Sequence, residues 1–404
     1  MNNSVAIIGM GATKNPGLNM VDKTFKELVV EASYEAIANA KIDPLLIDGA
    51  TFSFTGEGEI GHGGTGATLV DALGLAPIPC FLNTANCSSG SVSVVEGYNM
   101  ILSGQYEAVL VCGFDKQTDI IPFENYMLMS TDVMYDYNLG ISHIDAFMLA
   151  DEYFKENKVS TQDAQNSLLH FAQLMRKNAY HNPIATLYRN PMPPVEILNE
   201  MPFNGNILIP GEGAAAIILA SEEFANKYCE NPVFIKGVGF SSSSHYFGHQ
   251  YHPELIQDKE AEKPPKTNMA SGYSLALACK KAYASANIKP EDIDVLGLYD
   301  MGVNPFISLE AAGICEKGTA YKYILDGNID PDGKCPVNVD GGNIGRGHVA
   351  GAGGIYQVIE IAKQLQGQAM GIQLQLNNEC KYGMSTVIGG YYATAVSIII
   401  GAEK

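Results

Sequence analysis

One cysteine, Cys87, lies in a turn of small residues that leads directly into an amphipathic helical pattern. The turn runs from Ala85 to Gly90, and apolar residues then recur at helical spacing as far as Leu102. Unpaired amides and the helix dipole at such a position favour a thiolate over a thiol, and the small neighbours let a substrate approach closely. The segment is therefore suited to presenting a nucleophilic cysteine. A structural cysteine buried beside a tight turn would leave the same pattern.

A glycine-rich segment in the C-terminal part of the chain carries a single imidazole, His348. The segment runs from Asp340 to Gly354 and also leads into a helical pattern. An imidazole that titrates near neutrality is suited to removing the proton of a thiol. The segment is not a P-loop, because no Gly-Lys-Ser/Thr sequence ends it, and it matches the dinucleotide-binding fingerprint only weakly.

The elements that must position these two residues indicate a duplicated α/β chain. Ala38 to Ala50 and Ala284 to Leu296 are identical at six of thirteen positions, and each stretch follows a helical pattern and precedes an apolar strand. Superposing the ends of the helices after Cys87 and His348 brings the two side chains to nearly equivalent helix starts, across a pseudo-twofold axis. Strands that alternate with helices predict an α/β fold with largely buried sheets.

Local patterns predict several individual elements. Val5 to Gly9 and Ala108 to Cys112 are typical of buried strands. Asp22 to Ala40 has a helical pattern, and we expect Asp22 to cap that helix. Two further helices are predicted near His143 to Asn157 and Thr161 to Ala179.

The composition narrows the class of protein. The chain has 404 residues and a formal net charge of −19, which disfavours nucleic acid or an anionic membrane surface as a partner. No apolar run reaches the length of a transmembrane helix, and the N-terminus lacks the features of a signal peptide, so a cytoplasmic protein is expected. The eight cysteines never form a Cys-x-x-Cys pair, which favours reduced thiols and argues against a zinc cluster. His245, His249 and His252 have the spacing of metal ligands on a helix, but their surroundings disfavour a helix, so no metal is predicted.

The two chemical segments resemble those of the thiolase superfamily. The stretch from Leu82 to Lys116 is similar to the nucleophile segment of the sterol-carrier-protein branch, in its Asn-x-Cys-Ser-Ser-Gly turn, its Ser-Gly step and its strand ending in Gly-x-x-Lys. The glycine-rich segment resembles the Gly-Gly-x-x-x-x-Gly-His-Pro-x-Gly-Ala-x-Gly motif of thiolases, with Val349 in place of the proline.

The resemblance implies a thiolase fold, in which two duplicated halves form a five-layer helix–sheet–helix–sheet–helix body. Residues 1–230 would form the N-terminal half, including a covering loop domain at about 116–206, and residues 231–404 the C-terminal half. It also implies the activity: thiolytic cleavage of a 3-oxoacyl-CoA through an acyl-cysteine intermediate. Cys87 would be the nucleophile, and His348 would deprotonate it.

The remaining site residues that the resemblance implies bind oxygen and coenzyme A. Backbone amides at Gly389 and Gly390 would help to form an oxyanion hole. Arg176, Lys177 and Asn182 lie in a segment similar to one of the sterol-carrier-protein branch and would contact coenzyme A. Coenzyme A is then a co-substrate, and no permanently bound cofactor is expected.

One part of the family pattern is missing. Thiolases use a second cysteine as acid or base, and Tyr299-Asp300-Met301 stands where the sterol-carrier-protein branch has His-Asp-Cys, while Tyr391 and Tyr392 occupy the alternative place. Tyr299 and Asn304 are the candidates for the acid and for binding the thioester oxygen. The two C-terminal tyrosines fit either a reshaped pocket or core packing.

The missing second cysteine is compatible with two other functions. A condensing acyltransferase of the ketosynthase type fits the same cysteine and histidine, and a non-catalytic acyl-CoA-binding subunit of a complex fits the missing cysteine. Related thiolases imply a bulky or aromatic substrate such as benzoylsuccinyl-CoA, in aromatic degradation, and a small partner protein with a zinc ribbon and an OB-fold. A homodimer is also implied, and we expect the apolar strand at Ala108 to Cys112 to contribute to it.

Overall fold

The computed structural model describes residues 4–14, 17, 20–134, 144–246, 268–375 and 382–402. The strands in these ranges are β1 Val5–Ala12, β2 Gly49–Ser53, β3 Cys80–Asn83, β4 Ala108–Asp115, β5 Gly213–Ser221, β6 Val233–Ser242, β7 Ile293–Leu298, β8 Tyr382–Gly389 and β9 Thr394–Gly401. The α-helices are α1 Phe25–Ala40, α2 Glu57–Ile60, α3 Thr65–Ala72, α4 Ser89–Leu102, α5 Phe123–Leu128, α6 Ile144–Glu156, α7 Thr161–His181, α8 Val195–Glu200, α9 Glu222–Tyr228, α10 Tyr273–Ala286, α11 Asn304–Ala311, α12 Ala320–Leu325, α13 Gly342–Gly345 and α14 Gly353–Leu365. None of the helices in the described ranges is long and apolar enough to cross a membrane.

The strands show the duplication directly. In the described chain they form one sheet in the order β3-β2-β4-β5-β1-β6-β9-β8-β7, with an antiparallel β1–β6 pair at its centre. From that pair outward, the strand order of the first half is β1-β5-β4-β2-β3 and that of the second half is β6-β9-β8-β7. Val337 forms a parallel bridge with Leu296 of β7, at the place that corresponds to β3. In each half the two strand pairs next to the centre are antiparallel and the pairing toward the outer edge is parallel, so the predicted duplication is confirmed.

The helices cover the sheet in three layers. Helix α1 buries Leu28, Val29 and Ala32 against the outer face of the first half. Helices α4 and α14 pack against each other between the two halves of the sheet, and α10 covers the outer face of the second half. The result is the predicted five-layer helix–sheet–helix–sheet–helix body. Apolar faces on both sides of each half explain why the strands are apolar without alternation.

Helix α1 begins later than its sequence pattern predicts. Thr24, not Asp22, is its N-cap, and the Thr24 side chain accepts a hydrogen bond from the amide of Glu27. The Glu27 carboxylate accepts one from the Thr24 amide, which completes a capping box. The Asp22 prediction was therefore wrong, because a Thr-x-x-Glu pair satisfies two helix-end amides where an isolated Asp satisfies one.

The strand expected at a dimer interface is in the interior. β4 lies between β2 and β5, and its residues are buried along their whole length. It is apolar because both of its faces are covered, and it offers no surface to a partner. The edge of the first half is β3, where Phe81 and Leu82 are 43% and 40% exposed.

The excursion between β4 and β5 contains α5 to α8 and reaches the glycine-rich segment through α7. The two helices predicted there correspond to α6 and α7; His143 lies outside the described residues. Gly341 has a φ of +100°, and a Cβ atom on it would lie 2.5 Å from the Cβ atom of Ala179. Only glycine permits both this backbone conformation and this close approach. The glycine-rich segment is thus pressed against the C-terminal end of α7.

Candidate active site

The turn that carries Cys87 is held by its own side chains. The Ser88 hydroxyl donates to the carbonyl of Ala85 at 2.6 Å, and the Ser89 hydroxyl donates to the carbonyl of Asn86 at the same distance. Asn86 has a φ of +52°, a left-handed conformation that Asn tolerates better than most residues. Helix α4 begins immediately afterwards, at Ser89. The sequence around Cys87 therefore encodes its own sharp turn, and the cysteine is half-buried at the tip of it.

His348 is held by contacts from distant parts of the chain. Its amide donates to the carbonyl of Ile209 at 2.7 Å, and its carbonyl accepts from the amide of Gly211 at 3.0 Å. The Gln117 side-chain amide also donates to the His348 carbonyl, at 3.0 Å. These contacts fix the backbone on both sides of the imidazole. Among the described residues its Nε2 atom has no hydrogen-bond partner, so it remains available to a ligand.

The two chemical segments meet at a small cavity of about 40 Å³. The Tyr299 hydroxyl donates to the Sγ atom of Cys87 at 3.8 Å. The Tyr299 and His348 rings meet edge to face, with centroids 5.8 Å apart. The predicted residues that line this cavity are Cys87, Tyr299, Asn304, His348, Gly390 and Tyr391. Side chains from both halves of the chain are therefore brought to one point.

Burial decides the protonation states at this point. It raises the pKa of the Cys87 thiol to about 12 and lowers the pKa of His348 to about 3, with the nearby charge of Arg346 adding to the second effect. Burial and the neighbouring thiol also raise the pKa of Tyr299 well above its usual range. All three groups are neutral at pH 7. Burial thus opposes the charged forms of Cys87 and Tyr299 and of the His348 imidazole, against the helix dipole, which favours a thiolate at Cys87.

The segment in place of the family's second cysteine faces the cavity. Tyr299 and Asn304 are both buried, and Met301 lines the same space. The Asn304 side-chain nitrogen donates to the carbonyl of Met301 at 2.8 Å, and its oxygen has no partner among the described residues. Tyr299 thus places a hydroxyl at the sulfur, and Asn304 lines the same cavity with its side-chain amide.

Of the two C-terminal tyrosines, one lines the pocket and the other packs in the core. Tyr391 lines the cavity, whereas Tyr392 is buried in the core of the second half. Both have positive φ values, 48° and 70°. Gly390 lines the cavity, but Gly389 is packed so closely that a Cβ atom on it would lie 2.3 Å from the carbonyl oxygen of Ala85.

The three residues expected to hold coenzyme A do not form one surface. Asn182 is fully buried and donates to the carbonyl of Asp340 at 2.9 Å. Arg176 is also buried, whereas Lys177, the next residue of α7, is exposed. Of the three, Lys177 is the residue that faces solvent.

Sequence reasoning missed a buried acidic pair behind the cavity. Asp115 accepts from the amide and the hydroxyl of Thr55, at 3.0 and 3.1 Å, and from the amide of Gly351. Glu59 lies beside it and accepts from the Lys116 amide at 2.7 Å. Burial, and then the charge of Asp115, raise the pKa of Glu59 well above its usual range, so Glu59 holds the shared proton.

A hydroxyl connects this pair with the cavity. The Thr55 hydroxyl lies 2.9 Å from the hydroxyl of Tyr126, and Tyr126 lines the cavity. The family-like Gly-x-x-Lys step, which contains Asp115, was the sequence signal nearest to the pair. The local sequence pattern around Glu59 does not predict that this residue belongs to a buried acidic pair.

His245 lies against the nucleophile turn. Its Nε2 atom is 3.1 Å from the side-chain nitrogen of Asn86 and 3.0 Å from the carbonyl oxygen of Ser130. The other two histidines of the spaced set, His249 and His252, lie outside the described residues. In the part of the chain that is described, no group of three His, Cys, Asp or Glu side chains could hold a metal ion.

Comparison with protein families agrees with this architecture. Residues 5–199 match the family model "Thiolase, N-terminal domain", and residues 265–402 match "Thiolase C-terminal domain-like". The chain belongs to the thiolase superfamily and to its sterol-carrier-protein-type branch. It is an acyltransferase of the thiolase type and carries out thiolase-type acyl-CoA chemistry.

Individual relatives cover almost the whole chain. It is 29% identical to an acetyl-CoA acetyltransferase of Methanocaldococcus jannaschii, over 99% of both chains. It is 26% identical to sterol carrier protein 2 of Bos taurus, over 91% of this chain and 67% of that protein. Among solved structures, the Ltp2-ChsH2(DUF35) aldolase superposes with a TM-score of 0.77 at 20% identity, over 99% of this chain and 98% of that one. Human mitochondrial 3-ketoacyl-CoA thiolase in complex with CoA superposes with a TM-score of 0.71 at 17% identity, over 100% of this chain and 98% of that one.

Proposed function

We propose that this protein cleaves a 3-oxoacyl-CoA with coenzyme A through an acyl-Cys87 intermediate. One observation carries the proposal: the Cys87 sulfur, the Tyr299 hydroxyl and the unpartnered Nε2 atom of His348 share one small cavity. A nucleophile, a proton acceptor and a proton donor are the three groups that the reaction needs.

The first half-reaction transfers the acyl group to the enzyme. Because both groups are neutral at rest, the Cys87 proton passes to His348 Nε2 as the sulfur attacks the 3-oxo carbon. The bond between the α-carbon and the β-carbon then breaks, and its electron pair stays on the α-carbon of the leaving acyl-CoA. The Tyr299 hydroxyl donates its proton to that carbanion. Gly390 is the backbone amide nearest to the oxyanion that forms during the attack.

The second half-reaction restores the enzyme. The Tyr299 phenolate takes the proton of an incoming coenzyme A thiol, and the resulting thiolate attacks acyl-Cys87. Cys87 leaves as a thiolate and recovers its proton from His348. Each proton that is removed in the first half-reaction is returned in the second, so no metal or redox step is needed to balance the cycle. Coenzyme A is a co-substrate in this scheme, a role supported by the CoA complex of the human thiolase.

For the substrate we propose a bulky or aromatic acyl group, of which benzoylsuccinyl-CoA in aromatic degradation is an example. The support is the Tyr391 side chain in the cavity wall, at a place where thiolases have small residues. A tyrosine there reshapes the pocket and offers an aromatic face.

For the assembly we propose a homodimer and a small partner protein with a zinc ribbon and an OB-fold. The exposed Phe81 and Leu82 on the β3 edge strand support self-association. The structural neighbour named for two components, Ltp2 and ChsH2(DUF35), supports a second subunit. We propose that residues 1–230, with a covering segment at about 116–206, form one half of the chain and residues 231–404 the other. We also propose a cytoplasmic location.

Thiolysis of a panel of synthetic 3-oxoacyl-CoAs tests the function. The loss of the Mg-enolate absorbance should follow added protein and coenzyme A. Condensation without thiolysis would instead support the ketosynthase-like alternative. Binding of acyl-CoA without turnover of any substrate in the panel would support a non-catalytic subunit.

A further inference from the structure

Arg176 is a buried cation, and none of the salt bridges among the described residues includes it. It is 8% exposed, and its Nη atoms lie 3.4 and 3.5 Å from the carbonyl oxygens of Ile344 and Gly205, which are long, weak contacts. Its Nε atom has no hydrogen-bond partner among the described residues. Burial lowers the pKa of the guanidinium, and no neighbouring carboxylate offsets this effect. A buried charge in this state costs folding free energy, because its lost hydration is not replaced.

Arg176 lines a large, mainly apolar cavity. This space measures about 340 Å³, which is within the range of small-molecule sites. Arg176 is its only cationic lining residue in the described chain. The other lining side chains are mainly apolar and include Leu187, Pro191, Met201 and Ile207.

This cavity adjoins the one at the nucleophile. Leu208 lines both, and the neighbouring Ile209 accepts the hydrogen bond of the His348 amide. The space beside Cys87 is about 40 Å³, too small for a bulky acyl group, whereas the space beyond Leu208 is about 340 Å³. An acyl group attached at Cys87 could therefore extend past Leu208 toward Arg176.

We propose that the cavity at Arg176 binds a carboxylate carried on the apolar acyl group of the substrate, so that the enzyme selects acyl-CoAs with a second, free carboxylate. The guanidinium would pair with the carboxylate through two parallel hydrogen bonds, and the apolar wall would cover the stem. The proposal names the substrate class for the function proposed above and rests on it. A coenzyme A phosphate is the other source of an anion, but a single arginine in an apolar wall is poorly suited to so strongly hydrated a group.

Substrate discrimination is the first test. A 3-oxoacyl-CoA that ends in a carboxylate and the methyl ester of the same compound are compared in thiolysis. We expect the wild-type protein to prefer the acid by at least tenfold in kcat/KM, and Arg176→Met to reduce that ratio to near one. Arg189→Met, which removes an exposed cation from the neighbouring segment, should keep the preference. A wild-type protein that prefers the ester, or a ratio that survives Arg176→Met, would overturn the proposal.

Binding without turnover is the second test, and it separates failure of this proposal from failure of the proposed function. Calorimetry compares 4-phenylbutyrate with its neutral amide on the wild-type protein, Arg176→Met and Arg176→Gln. Tenfold tighter binding of the acid, lost in both variants, would support the site even if no thiolysis is seen. If the variants instead weaken coenzyme A and leave the acid unaffected, Arg176 binds a phosphate and the proposal is wrong.

Thermal unfolding distinguishes a ligand site from a structural arginine. Ligand-free Arg176→Met should melt at or above the wild-type temperature, because an unpaired buried charge is replaced by an apolar side chain of similar length. A clear fall in the melting temperature of both Arg176→Met and Arg176→Gln would show that the arginine serves the fold, contrary to the proposal.

Discussion

The Cys87 turn and the His348 loop occupy corresponding places in the two halves of the fold, but they are held in different ways. The turn is closed by the hydroxyls of its own Ser88 and Ser89. The loop is held from the other half: Ser53 donates to the Gly351 carbonyl at 2.8 Å, and Asp115 accepts from the Gly351 amide. The position of the nucleophile is thus a local property, and the position of the base is a property of the assembled halves.

The two regions also differ in buried charge. The His348 loop contains an Asp340–Arg346 ion pair whose side chains are almost fully buried. Asp300 lies beneath it, and burial raises the pKa of Asp300 to about 8. The charge of Arg346 contributes to keeping His348 neutral. Substitutions in the Cys87 turn should therefore remove the nucleophile, whereas substitutions in the His348 loop should change how its proton is transferred.

Removing the nucleophile should have the largest effect. We expect Cys87→Ser and Cys87→Ala to abolish turnover and leave the fold intact, since the turn is closed by the serines and not by the thiol. Mass spectrometry after exposure to acyl-CoA should show an adduct on Cys87 of the wild-type protein. Cys229→Ser, at a half-buried thiol after α9, is the control and should remain active. An adduct on Cys112 in place of Cys87 would show that the site is wrongly assigned.

Removing the base should have the next largest effect. His348→Asn is expected to slow acylation by roughly 10²–10⁴-fold, the usual contribution of a general base. The folded pKa of His348 is about 3, so the wild-type imidazole is neutral and its acylation rate should be flat around pH 7. The variant must use preformed thiolate, whose pKa is about 12, so its rate should rise tenfold per pH unit.

Stopped-flow acylation over pH 6–9 measures this difference, and His170→Asn, at a histidine paired with Asp330, is the control. An unchanged rate and pH profile in His348→Asn would mean that the turn activates its thiol without the loop. The two regions would then be chemically independent.

Removing the acid should affect carbon–carbon cleavage more than acylation by a simple acyl-CoA. Tyr299→Phe is expected to slow cleavage of a 3-oxoacyl-CoA by roughly 10²-fold, because no donor remains for the carbanion. Acylation of Cys87 by a simple acyl-CoA involves no carbanion and should fall much less. Tyr283→Phe removes a core hydroxyl that donates to the Ala312 carbonyl, outside the cavity, and serves as the control. Equal losses in both reactions would exclude Tyr299 as the acid.

The smallest effect concerns the acidic pair that connects the first half with the His348 loop. Glu59 has a raised folded pKa and holds a proton that the unfolded chain releases above its pKa of 4.5. Below pH 4.5 Glu59 therefore does not lower the free energy of unfolding. As the pH rises above 4.5, Glu59 lowers that free energy by up to about 1.4 kcal/mol per pH unit. Glu59→Gln imitates the protonated form, so it should be stabilising at pH 7 and nearly neutral at pH 4. Urea unfolding at both values checks this, and a variant less stable than wild type at pH 7 would show that Glu59 is ionised in the folded protein.

Local sequence determined the duplicated α/β chain and the two chemical segments. The spacing of Cys87 and His348 relative to their helices places them near corresponding helix starts in the two halves. Contacts between the halves then bring the two side chains to one cavity. Periodicity also located β1, β4 and the helices α1, α4, α6, α7 and α14. It failed at the start of α1, where the Thr24–Glu27 capping box outweighs Asp22.

Only the tertiary structure decided the protonation states and the buried partners. The turn around Cys87 has the local features of a thiolate site, yet packing removes water from it and keeps the thiol protonated. Tyr391 and Tyr392 are adjacent and chemically identical, and only packing directs one into the cavity and the other into the core. The sequence predicted a coenzyme A contact for Arg176, and only the fold shows that this residue is buried beside an apolar cavity. Desolvation and pairing depend on what surrounds a side chain in three dimensions, and residues far apart in the sequence provide those surroundings.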